Sequence, residues 1–177
     1  DYRVTLSELL MPASDISEQI SLAGTEASGT GNMKLMLNGA ITLGTLDGAN
    51  IEIKEAVGDE NIIIFGMKTE EVNDLKRSGY DPGAYYKSNP VIKSCIDRMY
   101  HGINGCSFSE VANSLKDADP YMVLADFDSY RKAQAHSSEC YKNSEKWAKM
   151  SLNNIAGAGI FSADRAVTEY AKDIWGL

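Results

Sequence analysis

Residues 41–65 read Ile41-Thr-Leu-Gly-Thr-Leu-Asp-Gly-Ala-Asn-Ile-Glu-Ile-Lys-Glu-Ala-Val-Gly-Asp-Glu-Asn-Ile-Ile-Ile-Phe65, and this stretch decides the fold class. It opens on the apolar run Ile41–Leu43, passes through a glycine turn, continues with a helix-compatible segment over Asn50–Val57 and closes on Ile62–Phe65. Short apolar runs rich in β-branched residues are typical of buried strands in parallel sheets. The order strand, helix, strand therefore predicts an α/β architecture.

The residues before this stretch continue the alternation. Arg3–Leu6 has the composition of a short strand, and Pro12–Leu22 carries Ile16 and Ile20 at helical spacing. Asn32–Asn38 has helical spacing again. We therefore expect short parallel strands alternating with helices in the first third of the chain.

The sequence after residue 67 is predominantly helical in pattern. Proline at the first position, or a hydroxyl or acidic residue nearby, marks several helix starts. We predict helices that begin at Thr69, Pro82, Pro90, Ser109, Asp126 and Ser144, and a last one capped by Ser162. We assign residues 1–177 to a single domain, because three short strands need helices on both faces to enclose a core.

Composition and charge narrow the classes of partner. The chain has 177 residues, of which 44% are hydrophobic and 24% charged, as in ordinary globular proteins. Its net charge is -8 and its basic residues are scattered, which argues against a nucleic-acid surface and against anchoring to anionic lipid. No apolar run approaches the roughly 18 residues of a membrane span. We expect neither a nucleic-acid nor a membrane partner.

Cysteine usage suggests a reducing compartment. Cys95, Cys106 and Cys140 form no Cys-x-x-Cys pair, so the sequence predicts no metal site of the zinc type. We expect three buried or half-buried thiols. An odd number of cysteines and the absence of an apolar leader after Asp1 predict a cytoplasmic location. The start at Asp1 is interpreted as that of a fragment or a processed product.

The candidate chemistry lies in Gly24-Thr-Glu-Ala-Ser-Gly-Thr-Gly-Asn-Met-Lys34. Glycines at positions 24, 29 and 31 permit positive φ and a close approach of the backbone to a ligand. The loop runs into a helix that starts near Asn32, where free N–H groups and the helix dipole favour an anion, most often a phosphate.

Two common phosphate motifs do not fit this loop. A P-loop needs lysine directly after its second glycine, but Thr30 follows Gly29. A dinucleotide fingerprint needs glycine where Lys34 stands. A phosphate loop with a lysine one helical turn inside suits pyridoxal phosphate, whose aldehyde condenses with an amine. On motif shape alone, a plain glycine turn followed by a solvated lysine stays open.

The complete sequence of this segment resembles that of one protein family. Glu26-Ala-Ser-Gly-Thr-Gly-Asn-Met-Lys34, followed by Leu37-Asn38, resembles the cofactor segment of the α-glucan (glycogen, starch and maltodextrin) phosphorylases. Gly44–Glu52, Ile62–Gly66 and the closing Phe161–Arg165 resemble later segments of that family. The resemblance runs from Tyr2 to Trp175 but covers only the last part of a longer enzyme.

The resemblance implies a fold and a reaction. The chain would form part of the Rossmann-like, pyridoxal-phosphate-binding C-terminal domain of a glycosyltransferase-B architecture. The enzyme would use inorganic phosphate to remove terminal glucosyl units from an α-1,4-glucan and release glucose 1-phosphate. The cofactor's phosphate would act as proton donor and acceptor. The whole enzyme would be a homodimer, and residues 1–177 alone would be inactive, because the other half of the site would lie upstream.

The resemblance also implies roles for individual residues. Lys34 would be the catalytic lysine that carries the cofactor. The implied cofactor-binding set is Lys34, Thr30, Gly31, Gly29, Tyr2, Arg3 and Gln19. The implied substrate-binding set, which would contact the glucosyl hydroxyls, is Glu26, Ser28 and Gly29.

Several polar and aromatic residues are better explained by structure than by catalysis. Asp47 is predicted to stabilise its own turn, and Asp15 and Glu18 are predicted to be helix N-terminal charges. Trp147 and Trp175 lie in apolar helical stripes and are predicted to be core residues. Arg3 as a solvated surface charge stays an open alternative.

Two other functions remain open at this point. One is a fragment that binds sugars or anions without turnover. The other is half of a nucleotide-sugar glycosyltransferase on a similar α/β scaffold, which would have no need of Lys34.

Overall fold

A three-stranded parallel sheet with the order β1–β2–β3 organises the first third of the chain in the computed structural model, which describes residues 1–177. The strands are β1 (Ile16–Gln19), β2 (Ile41–Gly44) and β3 (Ile63–Ile64). Ile16 pairs with Ile41, and Leu43 pairs with Ile63. The predicted α/β class with short parallel strands is confirmed, although β3 is shorter than the apolar run that predicted it.

Ten helices surround this sheet, and most of them follow residue 67, as predicted. None of the helices is long and apolar enough to cross a membrane. The helices are α1 (Val4–Ala13), α2 (Gly31–Leu37), α3 (Asn50–Val57), α4 (Thr69–Ser78), α5 (Pro82–Ser88), α6 (Pro90–His101), α7 (Ser109–Asp117), α8 (Val123–Lys142), α9 (Ser144–Gly157) and α10 (Ala163–Tyr170), which continues as a π-helical segment over Ala171–Trp175.

The central strand β2 anchors the main core. Ile41 and Leu43 are fully buried, and they pack with Ile63 and Phe65 against α8 and α9. The side chains that these two helices contribute are Ala133, Cys140, Trp147 and Met150. The prediction that Trp147 is a core residue is therefore confirmed.

A second cluster fixes the short helix α2. Met36 of α2 is fully buried against Ile53 of α3, together with Ile62 and Ala158. Because Met36 is enclosed on all sides, α2 has little freedom to rotate about its own axis. The orientation of every other side chain on α2 follows from this contact.

The strand predicted over Arg3–Leu6 is wrong. Val4 begins helix α1, none of whose residues is buried. Two β-branched residues suggested a strand, but the leucines and glutamate that follow are good helix formers. Pro12, which was expected to start the next helix, lies in the last turn of α1, and the helix ends one residue later.

The helix predicted over Pro12–Leu22 is also wrong, because residues 16–19 form strand β1. Asp15 and Glu18 are therefore not helix N-terminal charges. Asp15 accepts a hydrogen bond from the Tyr141 hydroxyl at 3.3 Å, and Glu18 accepts one from the Tyr130 hydroxyl at 3.1 Å. Both carboxylates tie the β1 region to helix α8.

Two further predictions about burial are wrong. Trp175 is 58% exposed, so it is not a core residue. Cys95 and Cys106 are exposed, and only Cys140 is buried. Val167, Tyr170 and Ile174 of the same C-terminal helical segment also lie on the surface.

A buried carboxylate joins the segment after β3 to the first turn of α8. Asp126, in the first turn of α8, accepts a hydrogen bond from the Met67 N–H at 2.8 Å. Burial raises the pKa of Asp126, the Met67 hydrogen bond opposes that effect, and the charges of Glu71 and Asp119 add to it. Ionised Asp126 is thus held at a cost to the folded state.

We predict that Asp126→Asn stabilises the fold at pH 7. A folded-state pKa above the unfolded value means that Asp126 contributes stability at low pH and loses that contribution as the pH rises through the folded-state pKa. Asparagine keeps an acceptor for Met67 without the charge. We expect the midpoint of thermal unfolding to rise by roughly 2 °C at pH 7, and the difference to vanish at about pH 3, where Asp126 is protonated in both the folded and the unfolded state. An equal shift at both pH values would contradict this explanation.

Candidate functional site

A cleft of about 720 Å³ lies between α1 and the start of α2. Five of the seven predicted cofactor residues line it, from two separate segments of the chain. They are Tyr2, Arg3, Thr30, Gly31 and Lys34. The rest of the lining comes from α1, from Pro12 at its end, and from the end of α2.

The start of α2 presents free hydrogen-bond donors. The peptide N–H groups of Gly31 and Asn32 donate to no group of the chain, because the first turn of a helix lacks intrahelical acceptors for them. Thr30 is the N-cap, and its side chain makes no capping hydrogen bond. These donors and the positive end of the helix dipole favour an anion at this point.

Two cationic side chains face the same cleft. Arg3 reaches it from the residue before α1 and also pairs with the exposed carboxylate of Asp1. Lys34 projects from the exposed face of α2, while Asn32 and Met36 on the other face are buried. The Lys34 amine makes no ion pair within the chain, so it is available to a ligand.

The other predicted site residues lie outside the cleft. Gln19 is on β1, where its side-chain amide donates to the Ser17 hydroxyl at 3.0 Å. Gly29 has a φ of 81° and lies on the exposed loop before α2, as do Glu26 and Ser28. The structure therefore groups the predicted sugar contacts on the loop, and most of the predicted cofactor contacts in the cleft.

Asp47 holds the backbone of the glycine loop, a contact that the sequence did not reveal. Its buried carboxylate accepts hydrogen bonds from the N–H groups of Gly24 at 2.9 Å, Thr25 at 3.3 Å and Glu26 at 2.9 Å, and from the Ser21 hydroxyl at 3.1 Å. Burial alone would raise the pKa of Asp47, but these hydrogen bonds outweigh it and hold the pKa below its usual value. The role is structural, as predicted, but Asp47 holds the neighbouring loop and not its own turn.

The same turn makes further contacts with the glycine loop. The N–H of Ala49 donates to the Ser28 carbonyl oxygen at 2.9 Å. The Asn32 side chain donates to that of Asn50 at 3.0 Å, and Asn50 donates to the Thr45 carbonyl oxygen at 2.9 Å. The polar residues Thr45, Asp47 and Asn50 of this turn were the available sequence signal, and the structure shows that all three are buried.

The free N–H of Gly31, the guanidinium of Arg3 and the unpaired amine of Lys34 meet at one cleft of a parallel α/β unit. Such a set of groups is suited to an anionic ligand beside an accessible lysine. The chain belongs to the carbohydrate phosphorylase family: the family model described as "Carbohydrate phosphorylase" matches residues 1–177.

Individual relatives agree with the family assignment. The chain is 47% identical over 181 residues to the protein named glycogen phosphorylase, brain form, of Homo sapiens. The alignment covers 100% of this chain and 22% of the relative. The chain is 48% identical over 181 residues to the muscle form of Bos taurus, with the same coverage. The chain thus spans about a fifth of the length of these relatives.

We predict that Gly48→Ala damages the contact between the two loops. Gly48 has a φ of 51°, and a Cβ there would lie 2.5 Å from the Ser28 carbonyl oxygen and 2.9 Å from Cγ of Glu26. The matched control is Gly58→Ala, at a φ of 78° with no atom within 4 Å of the added Cβ. Both substitutions strain the backbone, but only the first also creates a clash.

We expect Gly48→Ala to lower the free energy of unfolding by at least about 1 kcal/mol more than Gly58→Ala does. Amide hydrogen exchange should also show faster exchange at Ala49, whose N–H bonds to Ser28. Equal losses of stability in the two variants, with Ala49 unaffected, would contradict the close packing of these loops.

Proposed function

We propose that this chain is the cofactor-binding part of an α-glucan phosphorylase that releases glucose 1-phosphate from terminal α-1,4-linked glucosyl units with inorganic phosphate. The observation that carries the proposal is that Lys34, Arg3 and Gly31, whose N–H is free, line one cleft. Relatives at 47% and 48% identity that are named glycogen phosphorylases support the choice of substrate.

The residues of the cleft fit pyridoxal phosphate. A phosphate needs hydrogen-bond donors and positive charge, which Thr30, Gly31 and Arg3 offer together. The aldehyde, on the ring carbon next to the one that carries the phosphomethyl group, needs a primary amine without a competing partner, which Lys34 provides. When bound, the cofactor would supply a phosphate that gives and takes a proton beside the substrate phosphate.

The exposed loop before α2 suits a sugar. Glu26 offers carboxylate oxygens as acceptors, while the Ser28 hydroxyl and the backbone N–H of Gly29 are donors. The Ser28 N–H lies 3.4 Å from a Glu26 carboxylate oxygen, so the two residues already form one local unit. We propose that this unit pairs with adjacent glucosyl hydroxyls, each of which both donates and accepts.

We also propose a wider architecture for the sheet. The parallel order β1–β2–β3, with helices packed against it, supports a place in the Rossmann-like C-terminal domain of a glycosyltransferase-B enzyme, with residues 1–177 as one segment of that domain. The homodimeric state of the whole enzyme and its cytoplasmic location stay predictions from the sequence.

The first test is covalent trapping of pyridoxal phosphate on Lys34. The chain is incubated with the cofactor, reduced with borohydride and mapped by peptide mass spectrometry. We expect the adduct on Lys34 and its loss in Lys34→Ala. Lys132→Ala is the matched control, because Lys132 is also exposed on a helix and makes no ion pair.

A comparison with pyridoxal tests the phosphate site. Pyridoxal, which lacks the phosphate, should label Lys34 much more weakly. Adducts spread over many lysines, or equal labelling by pyridoxal, would contradict the assignment.

A second test asks whether the chain is sufficient for turnover. We expect residues 1–177 alone to release no glucose 1-phosphate from maltodextrin and phosphate, because the chain spans only 22% of the relatives' length. A full-length phosphorylase carrying these residues serves as the positive control. Release by the isolated chain would show that the remaining sequence is not needed. Sugar binding without turnover by the full-length protein would instead favour a non-catalytic binding module.

A further inference from the structure

The loop that would hold the sugar has few contacts of its own. Residues Gly24–Thr30 are all exposed, and Gly24 and Gly29 have φ values of 86° and 81°. A loop of this kind keeps one conformation only if groups outside it hold its backbone. The main external contacts come from the turn between β2 and α3.

Asp47 makes the densest of these contacts. One carboxylate oxygen, Oδ1, accepts from the Gly24 N–H, and the other, Oδ2, accepts from the N–H groups of Thr25 and Glu26. Three consecutive peptide groups are therefore oriented by one buried anion. Hydrogen bonds to an ionised acceptor are the stronger class, and the carboxylate is only 5% exposed.

The neighbouring residues of the turn extend the contact to the other end of the loop. Ala49 binds the Ser28 carbonyl oxygen, and Asn50 binds Asn32 at the start of α2. Asp47 therefore acts on the Glu26 side of the loop, whereas Asn50 acts on the side of the Lys34 cleft. The two ends of the site have separate supports.

We propose that Asp47 is a positioning residue that sets Glu26, and through the Glu26 carboxylate also Ser28, for the glucosyl unit while leaving cofactor attachment at Lys34 unaffected. The proposal rests on the proposed phosphorylase function. Asp47 is buried behind the loop, so it touches neither sugar nor cofactor and acts through the backbone that it holds.

Asp47→Asn is the most discriminating substitution. Asparagine has the same shape but only one acceptor oxygen, so its NH2 group must face at least one of the N–H donors that the carboxylate now accepts from. The loop should lose its fixed conformation at Glu26 without any loss of side-chain volume.

Asp119→Asn is the matched control. Asp119 is another buried carboxylate, and it accepts from the N–H groups of Val123 and Leu124 and from the Tyr80 hydroxyl. Its network resembles that of Asp47 but lies at the start of α8. A general loss of stability should therefore appear in both variants, and a positioning effect only in Asp47→Asn.

The experiment uses a full-length phosphorylase that carries this chain. For Asp47→Asn we expect the KM for the glucan and for glucose 1-phosphate to rise about tenfold or more, with a fall in kcat. The borohydride-trapped adduct on Lys34 should form to the same extent as in the parent. For Asp119→Asn we expect a lower midpoint of unfolding and unchanged KM values. Hydrogen exchange at Gly24, Thr25 and Glu26 should accelerate only in Asp47→Asn.

Other outcomes are informative in different ways. KM values that stay at the parent level in Asp47→Asn, or that rise equally in Asp119→Asn, would overturn the positioning role while leaving the proposed function intact. Absence of the Lys34 adduct in the parent itself would overturn the proposed function.

If Asp47→Asn does not fold, Ser21→Ala is a milder variant, because it removes only the hydroxyl donor to Asp47. A rise in KM of about twofold with a normal adduct then supports the role, and an unchanged KM overturns it.

Discussion

The candidate site depends on the packing of Met36, the side chain of helix α2 that is fully buried in the core. Met36 packs against Ile53, Ile62 and Ala158, and this contact fixes which face of a seven-residue helix meets the core. Lys34 lies two residues earlier, on the opposite face, and so projects into the cleft beside α1. An apolar contact in the core thereby determines the orientation of a reactive amine at the surface.

A second constraint comes from the turn between β2 and α3. The glycine loop and this turn are both rich in glycine and polar residues, and neither would hold its conformation alone. Asp47, Ala49 and Asn50 join them through hydrogen bonds between backbone and side chains. Among the N–H groups that donate to no group of the chain, that of Gly31 lies at the cleft.

The sequence predicted α2, β2, α3 and most later helices well, because apolar spacing, prolines and glycine breaks all agreed there. It failed at α1 and β1. In α1, Leu6, Leu9 and Leu10 have helical spacing, but the β-branched Val4 and Thr5 favoured a strand. In β1 the buried Ser17 conceals the alternation of a strand. The chance spacing of Ile16 and Ile20 favoured a helix, although Ile20 is 65% exposed. Strand β1 forms because its backbone pairs with β2, which is a long-range effect.

The candidate site was predicted in part for similar reasons. The local motif indicated a phosphate loop followed by Lys34. The resemblance to the phosphorylases implied Thr30 and Gly31, and it added Tyr2 and Arg3 from a distant segment. Asp47 was missed as a support because its partners lie more than twenty residues earlier in the chain. Local patterns reveal which groups could act on a ligand, but not which groups hold them in place.

A crystal structure of this chain with pyridoxal phosphate would test the central claim most directly. The proposed site predicts density joined to the side chain of Lys34, with the phosphate within hydrogen-bonding distance of Thr30 and Gly31 and facing Arg3. A cofactor attached to Lys34 whose phosphate points away from the start of α2, or a cofactor bound outside the cleft, would contradict it.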